Sequence, residues 1–170
     1  MIRDPSQRGL ALAEFFLAIE PRLYADLDEA GLLPGGDDPA RAGRARDEWR
    51  CFALYACVRG LIAAGGFNRE TGEAIEVLHE RVVAAWRQAD PATGADELRR
   101  QRIAERYAEY GTIGQTGGAS AAATVGRRLG EAAARHMTGD DPADDALAEM
   151  VGALHESLAE GSAEAVRQTE

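Results

Sequence analysis

Four Asp-Pro pairs divide this chain into segments, and they constrain its fold more than any other feature of the sequence. The pairs begin at Asp4, Asp38, Asp90 and Asp141. An aspartate at a helix N-cap accepts a hydrogen bond from a free backbone N–H, and a proline in the first helical position loses no donor that the helix needs. Each pair therefore predicts a helix start or a turn just before one.

Glycines mark the predicted ends of these helices. Gly31, Gly65-Gly66, Gly139 and Gly161 each follow a helical pattern, and glycine adopts the left-handed conformation of a helix C-terminus at little cost. No run of alternating β-branched residues occurs in the sequence, so we predict no strand. A chain of 170 residues can bury a core as one domain. The prediction is an all-α, single-domain bundle of about six helices over residues 1–170.

The central helix of this bundle is predicted from an unusual segment, 49–64, which is apolar on every side. A helix of that kind is normally surrounded by other helices. The predicted helices cover residues 5–30 with a bend or break at Glu20-Pro21, 39–64, 69–88, 95–110, 119–137 and 143–160. Residues 111–118 are predicted to be a glycine-rich loop, and about 142–170 an acidic C-terminal helix and tail.

The negative charge of the chain is concentrated at its C-terminal end. Of the formal net charge of −10, residues 139–170 contribute −8, because they contain nine acidic residues and only Arg167 as a base. Such a segment either forms a solvated acidic helix or packs against the mildly basic stretch 91–138. Affinity for a polyanion comes mainly from cationic contacts to phosphate, so the acidic total charge disfavours a nucleic-acid partner.

Neither a membrane nor an oxidising compartment is expected for this chain. Its N-terminus has neither the charge order nor the length of a signal peptide. The longest apolar run, 51–66, is interrupted by Arg59 and is short for a membrane span. The two cysteines, Cys51 and Cys57, point to different sides of one helix and predict no disulfide framework. The expected location is the cytoplasm.

Arg59 is the first candidate site residue, because a guanidinium within an apolar segment needs a partner. It either pairs with a buried acid such as Glu14 or Glu20, or reaches the surface along its aliphatic stem. Alternatively, it faces a pocket and binds a carboxylate or phosphate.

The glycine-rich loop 111–118 leads into a predicted helix, so its amides could bind an anion. Three arginines at helical spacing on the preceding helix could add charge to such a site. The opposing interpretation is an ordinary helix connection, since the loop has neither a Walker nor a dinucleotide-binding pattern. The candidate ligand-binding residues are Arg59, Gly114, Gly117, Gly118, Arg99, Arg102 and Arg106.

Glu76 and His79 have the Glu-x-x-His spacing of di-iron bundles, but the chain has no second such pair. His79 lies on the apolar side of its predicted helix and Glu76 on the polar side. A partly buried, hydrogen-bonded histidine therefore explains His79 better than a metal ligand, and we predict no metal and no cofactor.

Small residues recur every four positions in the predicted fifth helix, at Ala122, Gly126, Gly130 and Ala134. Glycine inside a helix costs about 0.5–1 kcal/mol relative to alanine, so two on one line indicate that another backbone comes close. This helix either packs tightly within the monomer or forms the face of a homodimer.

No nucleophile or acid–base pair in the sequence has the partners that catalysis requires. The predicted function is therefore a non-catalytic helical module that associates with itself or with a protein partner. The alternative is a small-molecule or anion-binding protein, possibly enzymatic, with Arg59 and loop 111–118 at its site. A metal-dependent enzyme using Glu76 and His79 ranks third.

Overall fold

The computed structural model describes residues 4–34, 38–91, 94–116 and 122–167, except the side chains of Ala122 and Ala123. This part of the chain forms six α-helices and no strand, which confirms the prediction of an all-α bundle. The helices are α1 (Pro5–Glu29), α2 (Pro39–Gly65), α3 (Arg69–Ala89), α4 (Ala95–Gln115), α5 (Ala122–Thr138) and α6 (Asp145–Arg167).

The first two Asp-Pro pairs start helices, as predicted, whereas the other two do not cap a helix start. Asp4 caps α1 by accepting a hydrogen bond from the Ser6 amide at 2.8 Å. Asp38 caps α2 by accepting from the amides of Ala40 and Arg41 at 3.0 and 3.2 Å. Asp90 instead follows the last residue of α3 as its C-cap, and Asp141-Pro142 forms a bend before α6, where the Asp144 side chain accepts a hydrogen bond from the Leu147 amide at 2.9 Å.

Helix α2 is the central element, as the apolar segment predicts, and it contacts each of the other five helices. Among the other five helices, α1 packs most closely against α3, and α5 packs most closely against α6. Along α2 the buried residues are Ala45, Glu48, Trp49, Cys51, Phe52, Ala53, Leu54, Ala56, Cys57, Val58, Gly60 and Leu61.

Helix α1 runs without a break through Pro21, so the predicted interruption at Glu20-Pro21 is wrong. Proline removes one backbone donor from the helix. Packing on both sides outweighs that loss, because Phe16 before the proline and Leu27 after it are fully buried. Glu20 is buried as well, and its carboxylate accepts a hydrogen bond from Arg46 at 3.0 Å.

Two further helix ends differ from the prediction. Helix α4 continues to Gln115, so residues 111–115 are helical rather than part of a loop. Tyr110 is fully buried at this end, and Ile113 packs against the core one turn later. Helix α6 continues through Gly161 because Ser162, Ala163 and Val166 beyond it are buried. In both places tertiary burial overrides the glycine signal.

Candidate functional site: the groove along helix α6

Helices α5 and α6 cross with their backbones in direct contact, and glycines make this possible. A Cβ atom on Gly130 would overlap the carbonyl oxygen of Ala148. A Cβ atom on Gly152 would lie only 2.8 Å from the carbonyl oxygen of Gly126. Gly126 and Gly130 of α5 therefore face α6 of the same chain.

The structure thus places most of the predicted interface stripe inside the molecule. Gly130 and Ala134 are buried within the chain. Gly126 is partly buried and lies at the edge of the crossing, and the Ala122 side chain lies outside the described residues. Of the two interpretations of the stripe, tight packing within one chain agrees with this arrangement.

An open depression of about 610 Å³ lies along the crossing of α5 and α6. Ala148 and Gly152, both buried, line its bottom, and Glu149 is exposed at its edge. The full lining is Gly126, Arg127, Glu131, Asp145, Ala148, Glu149, Gly152, Ala153 and Glu156. Small residues thus leave space that carboxylates surround.

A second depression, also of about 610 Å³, lies between α2 and α6. It arises in the same way, because a Cβ atom on Gly60 would overlap the carbonyl oxygen of Ala159. Its lining is Arg59, Gly60, Ala63, Glu156, Ser157, Ala159, Glu160, Gly161, Ala163, Glu164 and Arg167. Glu156 lines both depressions, and we call the two together the acidic groove.

Arg59 stands beside this groove and forms an ion pair within the chain. Its Nη1 atom donates a hydrogen bond to Oε1 of Glu156 at 2.7 Å, and its side chain is 31 % exposed. The partner is thus an acid of α6, and the expected pairing with Glu14 or Glu20 is wrong. The guanidinium reaches the protein surface along its aliphatic stem, which was the second predicted possibility.

The three candidate arginines of α4 also have partners, and Arg102 and Arg106 attach α4 to α2. Arg106 uses Nε and Nη2 to bind both carboxylate oxygens of Glu48, at 2.6 and 2.9 Å. Burying a carboxylate requires such a partner, and Glu48 is 4 % exposed. The ion pairs join Arg99 to Asp90, Arg102 to Asp47 and Arg106 to Glu48.

These arginines and Arg59 do not form one site. Glu48, the partner of Arg106, and Arg59 both belong to α2, and they lie about 16 Å apart along its axis. Gly114 is an exposed residue within α4, so its backbone is part of a helix instead of an anion-binding loop. Gly117 and Gly118 lie outside the described residues.

His79 is a partly buried core residue, as its position on the apolar side indicated. Its Nε2 atom lies 3.0 Å from the hydroxyl oxygen of Tyr107, and burial lowers the pKa of His79 to about 4. Glu76 is exposed on the other side of α3. Within the described ranges, no group of three or more His, Cys, Asp or Glu side chains could hold a metal ion.

His155 is a feature that the sequence analysis missed. It is fully buried, its ring stacks on Phe52 at a centroid distance of 4.2 Å, and neither ring nitrogen has a hydrogen bond of good geometry among the described residues. Burial and, to a smaller extent, the charge of Arg59 lower the pKa of His155 to about 3, and a looser hydrogen bond with the backbone of Phe52 opposes this shift. The only sequence signal was its spacing with the apolar residues of α6.

The buried thiols are also poor candidates for chemistry. Burial raises the pKa of Cys51 and of Cys57 to about 12, so both remain protonated thiols at neutral pH. Only the thiolate is a strong nucleophile. The Ser162 hydroxyl donates a hydrogen bond to the Cys57 sulfur at 3.2 Å, which fixes α6 against α2.

Comparison with known proteins gives no separate indication of what the acidic groove binds. Across the described residues, no helix combines the length and the apolar character needed to cross a membrane. Neither the protein-family models, nor the curated proteins, nor the solved structures contain a match to this chain.

Proposed function

We propose that this protein is a helical binding module, and that its acidic groove holds a basic helical segment of a different protein. The observation that carries the proposal is the groove itself, in which a bottom of small residues is bordered by carboxylates. Small residues allow a partner helix to approach closely. Carboxylates at the border select a partner of opposite charge.

The charge of the groove is only partly neutralised within the chain. Glu156 pairs with Arg59 at 2.7 Å, and Glu131 pairs with Arg127 at 3.6 Å. Glu149, by contrast, forms no ion pair with any described residue, and neither do Asp145 and Glu160. These carboxylates attract a basic segment and orient it during the encounter.

The outer face of α6 also offers apolar contact. Met150 is 40 % exposed, and Ala146 and Ala153 are exposed at helical spacing beside it. A flexible methionine adapts well to a partner's side chains. This combination favours an amphipathic helix that places apolar residues over Met150 and basic residues over the carboxylates.

Self-association through this face is disfavoured by charge. A symmetric dimer places the same surface of both copies together, so Glu149 and Glu160 of one copy would face the same acidic helix of the other. Like charges at close range are destabilising. A basic segment from another protein removes this conflict, and it is the occupant to which we commit.

The test is a binding titration with a defined peptide, measured by fluorescence polarisation. The probe is an amphipathic peptide of about five helical turns, with lysines on one face and leucine and alanine on the other. We expect it to bind at least about tenfold more tightly than a scrambled peptide of the same composition, and more weakly as salt is added.

Charge reversal at Glu149 should weaken this binding about three- to tenfold, because it replaces an attraction by a repulsion at the edge of the groove. The matched control is Glu80→Arg, which reverses another exposed negative charge on α3, a helix that does not contact α6. Equal losses in Glu149→Arg and Glu80→Arg, or equal affinity for the scrambled peptide, would contradict the proposal.

A further inference from the structure

Arg8 is a buried arginine whose hydrogen-bonding capacity is only partly used. It lies on α1, and its side chain is 4 % exposed. Its Nη2 atom donates to Oε2 of Glu70 at 3.2 Å, and its Nε atom has no hydrogen-bond partner among the described residues. A guanidinium has five donors, and leaving them unmet in the interior is unfavourable.

A second unpartnered group lies beside it, at the start of α3. Thr71 is 1 % exposed, and its Oγ1 atom has no hydrogen-bond partner in the described part of the chain. Asn68 caps this helix, and its side-chain oxygen accepts a hydrogen bond from the Thr71 amide at 3.0 Å. Helix α3 is 21 residues long, and its N-terminus carries the positive end of the helix dipole.

The two side chains converge on one position. A Cβ atom on Gly65 would lie 2.9 Å from Oγ1 of Thr71 and 3.2 Å from Nη1 of Arg8. The absence of a side chain at Gly65 therefore lets both polar atoms lie close to one point at the end of α2. A cation and a hydroxyl close to one point, in and beside the first turn of a helix, are groups that typically bind an oxyanion.

Glu70 occupies part of this arrangement. Its carboxylate is the anion that Arg8 holds in the structure, yet the Glu70 side chain is 70 % exposed. An exposed side chain can turn into solvent without disturbing the fold. We propose that Arg8, Thr71 and the N-terminus of α3 bind a small oxyanion of the phosphate class, which takes the place of the Glu70 carboxylate.

The test is NMR of the full chain during titration with inorganic phosphate at constant ionic strength. The signal of the Arg8 Nε–H group should shift and saturate, because phosphate oxygens accept hydrogen bonds from the guanidinium. Arg69 is the internal control, since its side chain is 91 % exposed at the start of the same helix and pairs with Glu73.

Two mild variants identify the site. Glu70→Gln removes the competing carboxylate and should tighten phosphate binding about threefold. Thr71→Val keeps the shape of the side chain but removes its hydroxyl, and should weaken binding about tenfold. A shift at Arg8 that does not saturate, a similar shift at Arg69, or affinities unchanged by both variants would overturn the proposal.

Discussion

Replacing Gly130 by alanine is expected to lower the free energy of unfolding by about 2–3 kcal/mol. The added Cβ atom would overlap the carbonyl oxygen of Ala148 and lie 3.1 Å from backbone atoms of Gly152. Both obstacles are backbone atoms of α6, so a side-chain rotation cannot relieve the overlap. The helices must separate, and the contacts between α5 and α6 weaken along their length. Urea denaturation followed by circular dichroism measures the loss.

Gly114→Ala is the matched control for this variant. Gly114 is also a helical glycine, but a Cβ atom there would meet nothing within 4 Å. Alanine favours a helix over glycine, so this variant should gain about 0.5–1 kcal/mol of stability. The same substitution is therefore expected to have opposite signs at the two positions. An increase in stability in Gly130→Ala would show that α5 and α6 are not in backbone contact.

Acidification from about pH 7 to about pH 4 is expected to cost several kcal/mol of stability through two histidines. Burial lowers the pKa of His79 to about 4 and that of His155 to about 3, whereas an unfolded chain keeps both near the model value of 6.5. Between these values the unfolded state binds more protons than the folded state, so stability falls as the pH falls. Each histidine contributes on the order of 3 kcal/mol by about pH 4.

Glu20 opposes part of this loss. Burial raises the pKa of its carboxyl group, and Arg46 lowers it to a smaller extent. The folded state therefore takes up this proton more readily than the unfolded state, which favours folding as the pH falls. Because one carboxyl group acts against two histidines, the net trend remains a loss of stability in acid. Urea midpoints measured across this pH range report the net effect.

His155→Phe separates the contribution of His155 from the rest. Phenylalanine keeps a ring stacked on Phe52 and has no group that titrates. The variant should lose about half of the acid dependence attributed to the histidines. It should also be at least as stable as the natural chain near neutral pH, since neither ring nitrogen of His155 has a hydrogen bond of good geometry among the described residues. An unchanged dependence on pH would show that His155 is not buried as a neutral ring.

The helix starts could be predicted because their causes are local. Asp4 and Asp38 cap helices with their own side chains, and sequence alone shows such pairs. Pro21, Gly111 and Gly161 were assigned as breaks or ends for equally local reasons, yet helices run through all three. At each of them the burial of neighbours outweighs the local preference, and burial depends on packing between distant segments.

The candidate site was predictable only in part, for a related reason. Gly126 and Gly130 indicated that another backbone comes close, but the spacing could not show which one. The glycine that faces them, Gly152, lies on α6, and Gly60 of α2 allows a separate close approach to α6; neither role could be recognised before the helices were packed. In the same way, Arg59 required a partner, and Glu156 stands 97 residues away.

The most direct test of the proposed function is NMR mapping of the patterned basic peptide on the full chain. We expect the largest changes in amide shift at the acidic groove, including Gly126, Glu149 and Ala153, with α3 unaffected. These residues line the groove, and α3 makes no contact with α6. Changes spread evenly over acidic residues of all helices, or confined to helices away from α6, would contradict the assignment of the groove as the binding surface.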